Sequence, residues 1–146
     1  MITLERAIAL AAEAHAGTPD KGGNPYILHP LRVMLAQSSD EARIVAVFHD
    51  VLEDVEGWNV ERLRVEGFTD SMIEALLALT KREDEMGSDE GYMRFVRRAA
   101  SNPIAKVVKL ADLDDNMDVR RLAVVDAKVQ SRLEKYSRAK ALLLDE

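Results

Sequence analysis

Apolar residues recur at three- and four-residue intervals along almost the whole chain, and no stretch alternates with the period of two that a half-buried strand requires. A chain patterned this way buries its apolar side chains by packing helices on helices. The expected fold class is therefore all-α, a compact multi-helix bundle. With 146 residues and 47% hydrophobic content, residues 1–146 are expected to form one domain around one substantial core.

Helix signals punctuate the pattern. Thr3 is placed to cap a first helix reaching about His15, with Ile8, Ala11 and Ala14 inward, and Gly17 to Pro25 reads as a loop. Pro30 opens a second, short helix from Leu31 to Gln37. Ser39 or Asp40 caps a third that runs through His49 and Asp50 to near Gly57, and Asn59 caps a short fourth. Thr69 or Asp70 opens a helix burying Met72, Ile73, Leu76, Leu77 and Leu79, and the charged stretch from Lys81 to Ser88 breaks it as the candidate mobile loop. A helix over about 89–100 follows. Asn102-Pro103 then supplies a cap and a first-turn proline for one running to about Met117, and a last helix covers about 124–144.

Within the third of these helices, His49, Asp50, Glu53 and Asp54 fall in six residues of an otherwise apolar run. At about 100° per residue, with His49 at zero, Glu53 lies near 40°, Asp50 near 100° and Asp54 near 140°, all on one side. Ile44, Phe48, Val51 and Leu52 occupy the opposite arc, and the small Ala42 and Ala46 lie within the polar one. Crowded carboxylates raise one another's pKa unless a cation or protons neutralise them, and a divalent metal resolves that conflict. A solvated acidic face is the other reading. This window alone leaves the two level.

The chain has no cysteine, so disulfides, thiolate zinc sites and cysteine nucleophiles are excluded, and a metal site must use histidine and carboxylate ligands suited to Mn, Fe, Mg or Zn. A net charge of −6, with no basic cluster interleaved with aromatics, argues against nucleic acid as a partner. No run of eighteen apolar residues calls for a membrane, and Met1 to Arg6 lacks the basic-then-apolar order of an export signal, so a cytoplasmic protein is expected. The oligomeric state stays open.

Two further groups bear on chemistry. His29 precedes Pro30, and Lys109, Asp112 and Asn116 follow one another at i, i+3 and i+7 along one helical face, with Asp114 directed elsewhere toward solvent. His29, His49, Asp50 and Asp112 together would make a mixed nitrogen and oxygen site on three segments, with coordination positions left for water and substrate.

That set, a His, then His-Asp, then Asp, resembles the HD phosphohydrolase superfamily. The runs Ala14-His15-Ala16-Gly17, Gly23-Asn24-Pro25-Tyr26-Ile27-Leu28-His29-Pro30, His49-Asp50-Val51-Leu52-Glu53-Asp54 and Val108 to Met117 resemble, more narrowly, the hydrolase domain of RelA/SpoT homologues. They span residues 14 to 117, and the length leaves no room for the synthetase domain of the long members. The resemblance implies Mn²⁺, or another divalent metal, held by His29, His49, Asp50 and Asp112. It implies a nucleotide substrate, guanosine tetra- or pentaphosphate, losing its 3′-pyrophosphate, with Glu53 and Asp54 assisting the attacking water.

Lys21, Tyr26 and Asn116 match positions that line the nucleoside pocket, and Lys81 matches a phosphate-binding lysine. For Lys81 and Arg32 a solvated surface charge is the competing reading, and His15 is expected to brace the loop. The pair Asp20-Lys21 stands where the family typically has Arg-Lys, and an aspartate offers no cationic plane to a base. That keeps a hydrolase of another phosphorylated nucleotide, such as NADPH at its 2′-phosphate, as an alternative, and a non-catalytic nucleotide-binding module is a further one.

Overall fold

The computed structural model describes residues 1–145. In chain order the elements are α1 (Leu4–Ala14), α2 (Leu28–Leu35), α3 (Asp40–Phe48), α4 (Val51–Asp54), α5 (Val60–Glu66), α6 (Asp70–Ala78), α7 (Asp89–Ala100), α8 (Pro103–Asn116) and α9 (Ala127–Asp145). Short 3-10 turns at Glu83–Glu85 and Val119–Arg121 lie between them. No strand is present among the described residues, and the fold is all-α. No helix among them is long and apolar enough to cross a membrane.

Capping explains most of the boundaries. Thr3, Ser39, Asn59, Thr69, Ser88 and Asn102 each accept a hydrogen bond from a first-turn backbone N–H, which satisfies donors that the helix itself leaves unpaired. Where two candidates competed at a cap, Ser39 and Thr69 take the position. Gly67 ends α5 at φ +98°, and its carbonyl accepts from Ile2 N at 2.8 Å, which fastens the N-terminus to the bundle.

The third helix is not continuous. His49 Nδ1 lies 2.7 Å from Ala46 O, the carbonyl that the Asp50 N–H would use in an unbroken helix. α3 therefore stops at Phe48, His49 and Asp50 form the junction, and the chain turns helical again only for Val51–Asp54. Residue Val55 onward is already extended or turn, short of the expected end near Gly57. α2 begins earlier than expected, so His29 sits in its first turn rather than ahead of it.

α3 is the central helix, packed against α1, α2, α6 and α8. Its Ile44, Val45, Ala46, Val47 and Phe48 join Leu10, Val33, Leu63, Met72, Leu76 and Val108 in the main core. A second apolar cluster holds Tyr92, Phe95, Val96, Leu113, Ala139 and Leu143 from α7, α8 and α9. α8 contributes to both, and its Lys109, Asp112, Asp115 and Asn116 line a common cavity. α9 packs chiefly on α7 and α8, and both of those helices contribute residues to each cluster.

Candidate metal centre and adjoining cavity

Both histidines are held by acceptors. His49 Nδ1 faces the Ala46 carbonyl, and His29 Nδ1 faces Asp115 Oδ2 at 2.6 Å. Neither acceptor carries a proton to share at neutral pH, so each Nδ1 bears the hydrogen and each Nε2 keeps its lone pair when the ring is neutral. The two Nε2 atoms converge on one oxygen, Asp112 Oδ1, at 2.9 Å from His29 and 3.2 Å from His49. Asp50 Oδ2 lies 3.1 Å from His49 Nε2 and 3.7 Å from His29 Nε2. One ligand atom from each of His29, His49 and Asp112 fits within 4.8 Å of the others. Lone pairs and carboxylate oxygens directed at a common point are a fit donor set for a divalent cation of borderline or hard character.

Electrostatics matches this geometry. Burial favours neutral His49, but the Asp50 and Asp112 charges hold its pKa well above the ordinary value. Burial likewise opposes charge on Asp112, and Lys109 with the two histidines keeps it well below the usual carboxylate range. Lys109 Nζ donates to Asp112 Oδ2 at 2.8 Å from a nearly fully buried position, and Asn116 Nδ2 donates to Oδ1 at 3.1 Å. The i, i+3, i+7 face read from the sequence is therefore real and converges on one carboxylate.

Tyr26 donates its hydroxyl to Asp50 Oδ2, and its ring lies 4.9 Å from that of His15 and 5.8 Å from that of His29. Burial and the Asp50 charge push the phenol's pKa up. His15 is buried against Tyr26, as expected of a brace for the loop. Glu53 accepts from the Lys81 backbone N–H at 2.8 Å, and Lys81 Nζ stands 3.8 Å from its other oxygen. Lys81 thus has a carboxylate partner and is not merely a solvated charge. Asp54 is exposed overall, and partial desolvation of its carboxyl, with the Asp50 and Glu53 charges, pushes its pKa up to about 6.

A cavity of about 530 Å³ opens beside these groups, within the size range of a nucleotide-scale ligand. Lys21, Tyr26, Glu53, Lys81 and Asn116 line it together with His29, His49, Asp50 and Asp112, so the structure brings nearly all the sequence-selected residues to one place. The unlike neighbour is Asp20, also in the wall. Its Oδ1 accepts from Gly22 N and Asn24 N, both at 2.9 Å, so this carboxylate folds its own loop.

Within the segment expected to be a mobile loop, Glu85 is anchored to the bundle. Glu85, only 4% exposed, accepts from Arg98 through both oxygens at 2.6 and 3.0 Å, while Arg98 also donates to Leu77 O and Thr80 O. Gly91 is required beneath it, because a Cβ there would stand 2.7 Å from Glu85 O. A long-range pair, not the local charge run, decides the conformation of residues 81–88.

Sequence reasoning missed Asp115 and the cationic wall of the cavity. Burial pushes the Asp115 carboxyl up, yet the His29 ring and the Arg32 guanidinium hold it at about 2. Arg32 donates to both its oxygens, at 2.7 and 3.1 Å, so Arg32 is a structural partner and not a free surface charge. Arg132 and Lys135, from α9, also line the cavity. Burial and then these two charges lower the Lys21 pKa, as expected where like charges gather without an anion. Only the i, i+3 spacing of Asp112 with Asp115, and of Arg132 with Lys135, hinted at these roles.

No family model matches the chain. It is 30% identical over 119 residues to the guanosine-3′,5′-bis(diphosphate) 3′-pyrophosphohydrolase of Aquifex aeolicus, an alignment covering 78% of this chain and 17% of that protein. It is 34% identical over 137 residues to a probable enzyme of the same name from Synechocystis, covering 88% and 18%. A GTP pyrophosphokinase of Streptomyces coelicolor is 36% identical over 126 residues, covering 81% and 15%. The chain spans about a sixth of the length of these curated relatives. Among solved structures, a metazoan ortholog of SpoT that hydrolyzes ppGpp superposes with a TM-score of 0.79 over 97% of this chain and 84% of that one, at 20% identity. That likeness establishes the fold.

Proposed function

The chain belongs to the RelA/SpoT homologues with an HD-type hydrolase fold, and from that premise we propose that it removes the 3′-pyrophosphate of guanosine tetra- or pentaphosphate, releasing GDP or GTP. The observation that carries the reading is the convergence of two histidine Nε2 atoms on Asp112 Oδ1 beside Asp50, with both Nδ1 atoms tied to acceptors. The relatives bear both hydrolase and pyrophosphokinase names, and this donor set supports the hydrolase. His29, His49, Asp50 and Asp112 are its metal ligands, with Mn²⁺ as the ion the family resemblance favours. Bound there, a divalent cation supplies Lewis acidity toward water and a phosphoryl oxygen.

The remaining chemistry falls to the chain's own groups. Glu53, oriented by the Lys81 N–H, takes a proton from the attacking water, and Asp54, whose pKa is raised to about 6, supports it from beside the site. Tyr26 fixes the Asp50 carboxylate. Lys21, Arg132 and Lys135 present positive charge to the phosphates of a small nucleotide, and Asn116 and Tyr26 line the space for its nucleoside. This reading also assigns the protein to the cytoplasm, where such a nucleotide is met.

The test is turnover of guanosine tetraphosphate and of NADPH, side by side, with added Mn²⁺ and with a chelator. GDP and pyrophosphate formed only with metal is the expected result. Orthophosphate from NADPH, or turnover of neither, would move the function to another nucleotide or to binding alone.

A further inference from the structure

Tyr92, the fourth residue of α7, is 7% exposed and lies in the cavity wall. Its ring packs edge-on against Phe95 at 5.9 Å and tilted against Tyr136 at 6.2 Å. The Lys109 ammonium beside its hydroxyl can only donate to the phenol oxygen, so the O–H itself meets no acceptor, an arrangement that destabilises a fold unless something else completes it.

The surroundings indicate what that something is. Three ammonium groups flank the ring, with Nζ of Lys135, Lys109 and Lys81 at 4.6, 5.3 and 6.0 Å from its centroid. Lys109 is neutralised by Asp112 and Lys81 is partnered by Glu53. Lys135 forms no salt bridge among the described residues, and Asp89, the carboxylate that tempers its charge, is paired with Arg138 at 3.2 Å. An unused O–H donor beside an uncompensated cation is complementary to an anion that has several acceptor oxygens. Because Lys109 stands beside the Tyr92 hydroxyl and donates to Asp112 Oδ2 at 2.8 Å, the hydroxyl lies on the side of the cavity nearest the proposed metal ligands, where the scissile phosphate belongs.

We propose that Tyr92 and Lys135 form a diphosphate pocket in which the tyrosine hydroxyl donates to a non-bridging oxygen of the pyrophosphate being removed. The inference rests on the proposed function for the identity of the substrate, and on Tyr92 alone for the place of the pocket. It requires no bond to form or break at Tyr92. A hydrogen bond to a charged acceptor holds the departing group until it leaves.

Inorganic pyrophosphate, titrated by calorimetry into the full chain as purified, tests the pocket apart from turnover. Tyr92→Phe should weaken its binding about tenfold or more. Lys135→Ala should weaken it as well and make it less salt-sensitive. Tyr92→Phe should melt close to the parent's temperature, because the O–H it loses meets no acceptor. A lowered melting temperature with unchanged pyrophosphate affinity would make the hydroxyl structural and overturn the proposal, as would a parent chain that binds no pyrophosphate. Tyr92-dependent pyrophosphate binding in a protein that leaves guanosine tetraphosphate intact would keep the pocket and overturn the substrate.

Discussion

Two places in this molecule bury charge, and they do so to opposite ends. At Arg98 and Glu85 the protein completes the carboxylate's pairing: both Glu85 oxygens receive the guanidinium, Arg82 N adds a third donor, and two more Arg98 N–H groups reach carbonyls. At the proposed metal centre two histidine nitrogens crowd one carboxylate oxygen, with a second carboxylate beside them. Protons or a cation must fill the gap there. Saturated pairing produces a strut, and convergent but unsaturated pairing produces a site.

Substitutions can break this contrast. Asp50→Ala should have the largest effect, abolishing Mn²⁺ binding and turnover together, since it removes a donor and a neutralising charge that nothing else replaces. Calorimetry and pyrophosphate release would check it, and full activity would refute the ligand assignment.

Arg98→Ala should lower stability by about 3 kcal/mol, seen in urea unfolding, because it strands a buried carboxylate. The hydrogen bonds from Arg98 hold the Glu85 carboxyl below its ordinary pKa, against the opposing effect of burial. Its contribution to stability is therefore fully present above the usual glutamate pKa, about 4.3, and is lost as pH falls through the lowered value. The gap between the parent and Glu85→Gln should accordingly close on acidification, while Mn²⁺ affinity at neutral pH changes little.

Asp115→Asn sharpens the comparison from the other side, since Asp115 belongs to both kinds of region: saturated by Arg32, yet in contact with His29. Losing the charge that fixes the His29 tautomer should weaken Mn²⁺ affinity by roughly 10- to 100-fold, with the fold retained. An unchanged affinity would show that His29 is oriented by packing alone.

Much of this was legible in the chain before folding. Thr3, Asn59 and Asn102 cap where their residue types indicate, and His29, His49, Asp50 and Asp112 meet although up to 83 residues separate His29 from Asp112. The break at His49 was not legible, because helical periodicity cannot register that a side-chain nitrogen has taken the carbonyl of Ala46. Nor was the anchoring of residues 81–88, whose charged composition reads as loop until Arg98 is seen to complete Glu85. The Asp20 carboxylate, conspicuous as a departure from the family's loop, proves to be a local turn-former.

The sequence by itself determined the all-helical class, several of the caps and the residue types proposed as metal ligands, since these depend on residue type and local spacing. Tertiary structure alone decided which groups are satisfied. Whether Arg32, Lys81, Tyr92 or Arg132 is a strut, a partner or an unused donor depends on what another helix places within about 3 Å of it, and hydrogen bonding falls away too steeply over that distance for any one-dimensional pattern to carry the answer.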